Sequence, residues 1–150
     1  GGAGAGVLGP LLQARPRQLV MVNRTAERAR TLAERHAATA REAGVDLSVA
    51  AIEDPGRGFD LVVNASASSL QAAAVPVPAA VLGDSALAID LMYGPSAQGF
   101  LEWAAQHGAR GRDGLGMLVE QAAEAFFVWR GVRPDSAPVL QALRQRLAAA

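Results

Sequence analysis

The sequence contains no cysteine and no lysine. The first absence excludes disulfides and thiolate metal sites. The second makes all fourteen basic residues arginine, so no lysine acid or base can come from these residues. The two histidines, His36 and His107, stand too far apart to make a metal site alone and read as helix-surface residues, so no metal is expected. Acidic and basic residues balance at a formal net charge of zero, and the arginines are dispersed. That leaves no electrostatic footprint for nucleic acid or for an acidic membrane surface. No apolar run reaches the roughly 18 residues of a membrane span, and the start lacks the charged-then-apolar pattern of a signal peptide. The expectation is a soluble cytoplasmic protein of one domain, since 150 residues is a usual domain length.

Glycine, by contrast, is abundant, and its densest cluster is the opening run Gly1-Gly2-Ala3-Gly4-Ala5-Gly6. Glycines at such a point let the backbone turn sharply and approach a pyrophosphate, whose charge is met by the free N–H groups opening the next helix. Val7, Leu8, Leu11 and Leu12 share one helical face, so the run leads into a helix, with Pro10 the flaw in that reading. A second register, Gly4-Ala5-Gly6-Val7-Leu8-Gly9, matches G-x-G-x-x-G literally but leaves only a stub of helix before Arg15-Pro16 and is rejected. In the preferred register Gly1 and Gly4 are the second and third glycines of the fingerprint, and the first glycine and its strand are missing. At the end of the next strand, where an NAD-binding unit has an acidic residue for the ribose 2'-hydroxyl, this chain has Asn23 followed by Arg24. A 2'-phosphate fits that pair better, which points to NADP.

Gln18 to Asn23 reads as a buried parallel strand, followed by a helix capped by Thr25 and running to about Ala43. Leu47 to Ile52 is a further strand, and Asp54-Pro55-Gly56-Arg57-Gly58 a turn. Phe59 to Asn64 is the next strand and ends in Asn64-Ala65-Ser66-Ala67-Ser68-Ser69. At the carboxyl end of its strand that loop is a candidate for nicotinamide-side contacts, and equally a solvated Ser-rich turn. After an irregular stretch around Pro76 and Pro78, Ala86 to Leu91 forms another strand, and helices follow at about Ala97 to His107, Leu115 to Trp129 and Ala137 to Leu147. Asp113-Gly114-Leu115-Gly116-Met117 opens the second of these. Its glycines let backbone approach a ligand, and Met117 either lies against a flat ring or packs in the core.

Asn23-Arg24-Thr25-x-x-Arg28, Asn64-Ala65-Ser66, Asp90-x-x-Tyr93-x-Pro95 with Phe100-Leu101, and Asp113-Gly114-Leu115-Gly116-Met117-Leu118-Val119-x-Gln121-Ala122-Ala123 resemble, in that order, the C-terminal NADP-binding domain of the shikimate dehydrogenase family. The likeness continues through Trp129-x-Gly131 and Pro134-Asp135-x-x-Pro138-Val139. It implies a Rossmann-like, doubly wound parallel α/β sheet with helices on both faces, whose first strand is missing from the chain. It implies that Gly1, Gly2 and Ala3 lie under the pyrophosphate and that Asn23, Arg24, Thr25 and Arg28 surround the 2'-phosphate. Asn64, Ser66, Leu91, Gly114 and Met117 would line the nicotinamide pocket, while Tyr93 and Gln121 reach the substrate. Arg28 and Gln121 also fit as plain polar residues of a helix surface.

The chain departs from the family in having Ser69 where the loop commonly closes with glycine, and Gln98-Gly99 before Phe100. The family's catalytic lysine and aspartate belong to an N-terminal substrate domain that these residues do not include. The expectation is therefore a fragment, inactive alone, with no catalytic residue of its own. The intact enzyme would reduce 3-dehydroshikimate to shikimate reversibly with NADPH, in aromatic amino-acid biosynthesis, and would be a homodimer. Two rivals stand beside it. One is a quinate/shikimate dehydrogenase, whose NAD-preferring members usually carry an acidic residue near Asn23. The other is a catalytically silent dinucleotide-binding module, against which the retained Tyr93 and Gln121 argue.

Overall fold

The computed structural model describes residues 2–66 and 75–148. Gly1 and Ser69 lie outside the described residues. In chain order the elements are α1 (Gly2–Gln13), β1 (Gln18–Met21), α2 (Ala26–Ala43), β2 (Asp46–Val49), β3 (Phe59–Asn64), a 3-10 turn (Ala79–Val81), β4 (Leu82–Asp90), α3 (Pro95–Gln106), β5 (Arg110–Arg112), α4 (Leu115–Arg130) and α5 (Ser136–Ala148).

The glycine run is itself helical, so α1 starts at Gly2 rather than after the run, and the helix continues through Pro10. It buries Leu8 and Leu12, four residues apart on one face. Thr25 occupies the N-cap position of α2 with extended backbone, but its side chain makes no capping hydrogen bond. The expected cap is replaced by an Asx turn one step earlier, in which the Thr25 N–H donates to Asn23 Oδ1 at 2.9 Å.

All strand pairs are parallel, which requires each connection to cross the sheet rather than turn back as a hairpin. β1 pairs with β2 in the register Leu19 to Leu47 and Met21 to Val49. β3 pairs with β4, with a register shift between Phe59 and Leu61, and β4 pairs in turn with the short β5. Among the described residues no strand joins β1 to β3, so the fold is a Rossmann-like α/β arrangement carried by two parallel sheets. In the doubly wound order 3-2-1-4-5-6 the missing first strand belongs between them. Each sheet has its own core. Leu8, Leu12, Ala40 and Val45 pack with Leu19, Met21 and Leu47 on the β1–β2 side. Ala86, Ala88, Phe100, Ala104 and Ala109 pack with Val62 and Trp103 on the other.

Two sheets in place of one leave β1 and β3 each with an open side. In a parallel ladder successive N–H groups point alternately to the two neighbours, so half of those in each strand face no partner. Hydrogen exchange on the isolated chain is expected to show alternate fast amides across Leu19 to Met21 and Leu61 to Val63. Uniform strong protection through both segments would mean that the two open edges are covered.

Candidate functional site

The carboxyl ends of β1, β3, β4 and β5 each carry one of the motif segments. At the end of β1, Asn23 accepts from Thr25 and the Arg28 N–H donates to the Thr25 carbonyl at 3.0 Å, so the turn feeds straight into α2. Arg24, Thr25 and Arg28 are exposed there. No ion pair among the described residues engages Arg24 or Arg28.

At the end of β3, Asn64 Oδ1 accepts from the Ser66 backbone N–H at 3.1 Å and from its hydroxyl at 2.7 Å. The amide nitrogen of Asn64 donates to Asp90 Oδ2, at the end of β4, at 3.0 Å. The other Asp90 oxygen accepts from the Met92 N–H at 2.8 Å, and the Leu91 N–H donates to the Asn64 carbonyl. Asp90 is 0% exposed. It ties the Asn64-Ala65-Ser66 loop to the Leu91-Met92-Tyr93 turn, and a buried carboxylate is tolerated because hydrogen bonds satisfy it. The first turn of α1 closes the same edge, since a Cβ on Gly4 would lie 3.7 Å from that of Ala65.

The turn after β4 is bonded to the start of α4. The Gly114 N–H donates to the Met92 carbonyl at 2.8 Å. Gly114 packs so closely that a side chain there would run into the Leu91 carbonyl. Gly94, at φ 63° and ψ −147°, takes a conformation open essentially to glycine alone, which lets the chain leave Tyr93 and enter α3. Tyr93 is 42% exposed. Gln121, one turn after Met117 on α4, is also exposed.

Asp113 anchors this junction from below. Its side chain is 6% exposed and receives a bidentate fork from Arg144 of α5, at 2.6 and 2.5 Å. It also accepts from the Leu115 N–H at 3.3 Å. Burial acts to raise the Asp113 pKa, but the Arg144 hydrogen bonds and charge, with the N–H groups of Leu115 and Gly94, outweigh it and hold the carboxyl below its ordinary range. Leu147 of α5 lies against Gly94, so α5 braces the Tyr93 turn as well.

The predicted residues thus fall into two groups. Asn64, Ser66, Leu91 and Gly114 are joined by a continuous run of hydrogen bonds and backbone contact, with Tyr93 and Met117 on the same turns. Gly2 and Arg28 line a separate cleft between α1 and α2. Sequence reasoning missed two residues that hold the first group, Asp90 as a buried tie and Arg144 as the partner of Asp113. An aspartate closing the apolar run Ala86-Leu87-Ala88-Ile89 was a usable signal for the former. A pairing across 31 residues left none for the latter.

Residues 114–144, from the start of α4 to Arg144, match the family model for the shikimate 5'-dehydrogenase C-terminal domain. Over 96% of its length the chain is 65% identical to the NADP(+) shikimate dehydrogenase of Methylibium petroleiphilum. Over nearly its whole length the chain is similar to the shikimate dehydrogenases. It covers 49% of that relative's length and so spans about half of the curated family members it matches. Among solved structures it superposes on an Ael1 enzyme from Pseudomonas putida with TM-score 0.84 and 47% identity, covering 95% of this chain and 51% of that one. It also matches the shikimate 5-dehydrogenase of Thermus thermophilus in complex with NADP(H) and shikimate, at TM-score 0.65 and 34% identity, over 84% of this chain and 45% of that one. The shikimate dehydrogenase likeness therefore reaches well beyond the α4–α5 block that carries the family model.

Proposed function

We propose that this chain is the cofactor-binding half of an NADP-dependent shikimate dehydrogenase that interconverts 3-dehydroshikimate and shikimate in aromatic amino-acid biosynthesis. The observation that carries the reading is the gathering of Asn64, Ser66, Leu91, Tyr93, Gly114 and Met117 at the carboxyl edge of β3, β4 and β5, in a chain with 65% identity to a relative of that name. Residues 1–150 form one NADP-binding unit that includes α4 and α5, and the proton-transferring groups come from a separate domain. The intact enzyme is a cytoplasmic homodimer.

The donor set fits the dinucleotide. Arg24, after β1, and Arg28, in the first turn of α2, are exposed, no carboxylate among the described residues holds either, and their planar forks match a phosphate monoester. Asn23 and Thr25 complete that end. Gly2 and Ala3 bring backbone to the pyrophosphate at the positive end of α1. NADPH supplies the hydride, and the protein supplies position and electrostatics. Asn64 and Ser66 set one wall of the nicotinamide pocket. Leu91, Gly114 and Met117 set the other, where a side chain on Gly114 would close the approach. Tyr93 and Gln121 present a hydroxyl and an amide toward the substrate, fixing its hydroxyl groups beside the transferring carbon.

The test is cofactor choice in the native protein that carries this chain. Arg24→Ala should weaken NADP(H) by about tenfold, as expected for loss of one charge-assisted hydrogen bond worth roughly 1.5 kcal/mol. Binding of NAD(H), which has no 2'-phosphate, should not change. Equal affinity of the unaltered protein for the two cofactors, or an unchanged Arg24→Ala variant, would sink the reading.

A further inference from the structure

The family motifs reach only Arg28 of a cleft between α1 and α2, a space of about 410 Å³. Gly2 and Ala5 form its α1 wall, and Arg28, Thr31, Leu32 and Arg35 its α2 wall. The four α2 residues stand at i, i+3, i+4 and i+7, one face of the helix, so Arg28 and Arg35 point into the same space. We propose that Arg35 is a second specificity-determining residue for the 2'-phosphate of NADP, acting with Arg28 to make this cleft cationic. The proposal rests on the NADP reading above and deepens it.

Three features support it. First, reach: Arg35 is seven residues beyond Arg28, roughly 10 Å along the helix axis, but helical side chains lean toward the N-terminus. The long Arg35 side chain is thereby directed back toward the turn of Arg28. Second, charge: Arg30, Arg133 and Arg144 are each paired with a carboxylate, whereas no ion pair or hydrogen bond among the described residues engages the side chain of Arg28 or Arg35. The one acid on the cleft, Glu27, is already paired with Arg30 at 3.3 Å. Two unmatched guanidinium groups and the positive end of α1 therefore face the same space, and a phosphate monoester with about −1.5 to −2 charges is the ligand group that suits them. Third, room: Gly2 and Ala5 carry nothing beyond a Cβ, so the α1 wall leaves the approach open.

The effect should appear in NADP binding alone. Arg35 is exposed, so its contribution is screened, and Arg35→Ala or Arg35→Gln should weaken NADP(H) by about three- to fivefold at low salt, shrinking as ionic strength rises. NAD(H) affinity should stay constant. Arg41→Ala, on the same helix but outside the cleft, is the control and should change neither. Titration of both cofactors into the native protein and its Arg28→Ala, Arg35→Ala, Arg35→Gln and Arg41→Ala variants makes the comparison. Unchanged NADP(H) binding in both Arg35 variants, with a loss in Arg28→Ala, would overturn this inference and leave the NADP reading standing. No loss in Arg28→Ala either would overturn this inference and remove Arg28 from the 2'-phosphate site, while equal affinity of the unaltered protein for the two cofactors would overturn the NADP reading as well. An equal loss of NAD(H) and NADP(H) in the Arg35 variants would mean that Arg35 acts on the helix and not on the phosphate, and would also refute the proposal.

Discussion

Gly114→Ala should destabilise the protein by about 2 kcal/mol and lower its melting temperature by roughly 6 °C, while Gly116→Ala, two residues on, should be neutral or stabilising. The opposite signs follow from what each new methyl group meets. At Gly114 a Cβ would stand 2.6 Å from the Leu91 carbonyl carbon and 3.1 Å from Leu91 Cα, and backbone cannot swing aside as a side chain can. Relief requires the β4–α3 turn to move away from α4, which strains or breaks the hydrogen bond from Gly114 N–H to the Met92 carbonyl. At Gly116 nothing lies within 4 Å, and an alanine inside a helix is preferred over glycine by up to about 1 kcal/mol. If the turn carries the proposed site, Gly114→Ala should also raise the Michaelis constant for shikimate, because Tyr93 rides on the displaced segment. Thermal unfolding and steady-state kinetics of the two variants read both effects. A Gly114→Ala protein as stable as the parent would show that the two segments are not in rigid contact.

The same residues show what could be read from sequence and what could not. Gly114 was legible as a motif glycine that lets backbone approach a ligand, but the neighbour that its missing side chain admits in the structure is the backbone of Leu91, which no local pattern announced. The strands β1 and β3 were legible as short apolar runs, and β2 as well, although it ends at Val49 rather than Ile52. β4 begins at Leu82, four residues before its apolar alternation, because Gly83 packs on the backbone of Gly58 and Ser85 adopts a φ of 59° where the register shifts. β5 had no signal at all. Arg110-Gly111-Arg112 is exposed throughout and has no apolar face, and it is a strand only because β4 offers it a ladder from Leu87 to Ile89. The division into two sheets was legible through the missing first strand, since an open parallel sheet has no local rule that would let β1 and β3 pair directly. The Asn64–Asp90 tie follows from the pairing of β3 with β4, which sets those two residues opposite each other, and the Asp113–Arg144 pair from how α5 docks; neither partner choice is written in a local pattern.

Asp113→Ala should therefore cost about 2 kcal/mol, and the part of that cost carried by the carboxylate charge should fade in acid. A fully buried ion pair loses roughly 3 to 5 kcal/mol when one partner is removed, and an exposed pair at most about 1. This pair lies between, because Asp113 is 6% exposed and Arg144 45%. The alanine variant also strips the Leu115 N–H of its acceptor and releases α5 from the start of α4. Arg144→Met leaves a nearly buried carboxylate with only backbone N–H partners and should be comparably destabilised. The pH dependence follows from the direction of the shift. The Asp113 carboxyl is held below its ordinary range, so its contribution is fully present above the unfolded value, near 4, and is lost as pH falls through the lower folded value. Arg144 stays protonated throughout that interval. Denaturant unfolding of the parent and of Asp113→Asn, compared from pH 7 down to about pH 3, should show a stability gap that is constant at neutral pH and narrows below about pH 4. A gap independent of pH across that range would mean that the carboxylate charge adds nothing beyond its hydrogen-bond geometry, and that α5 is held to the Tyr93 turn by Leu147 and its apolar neighbours instead.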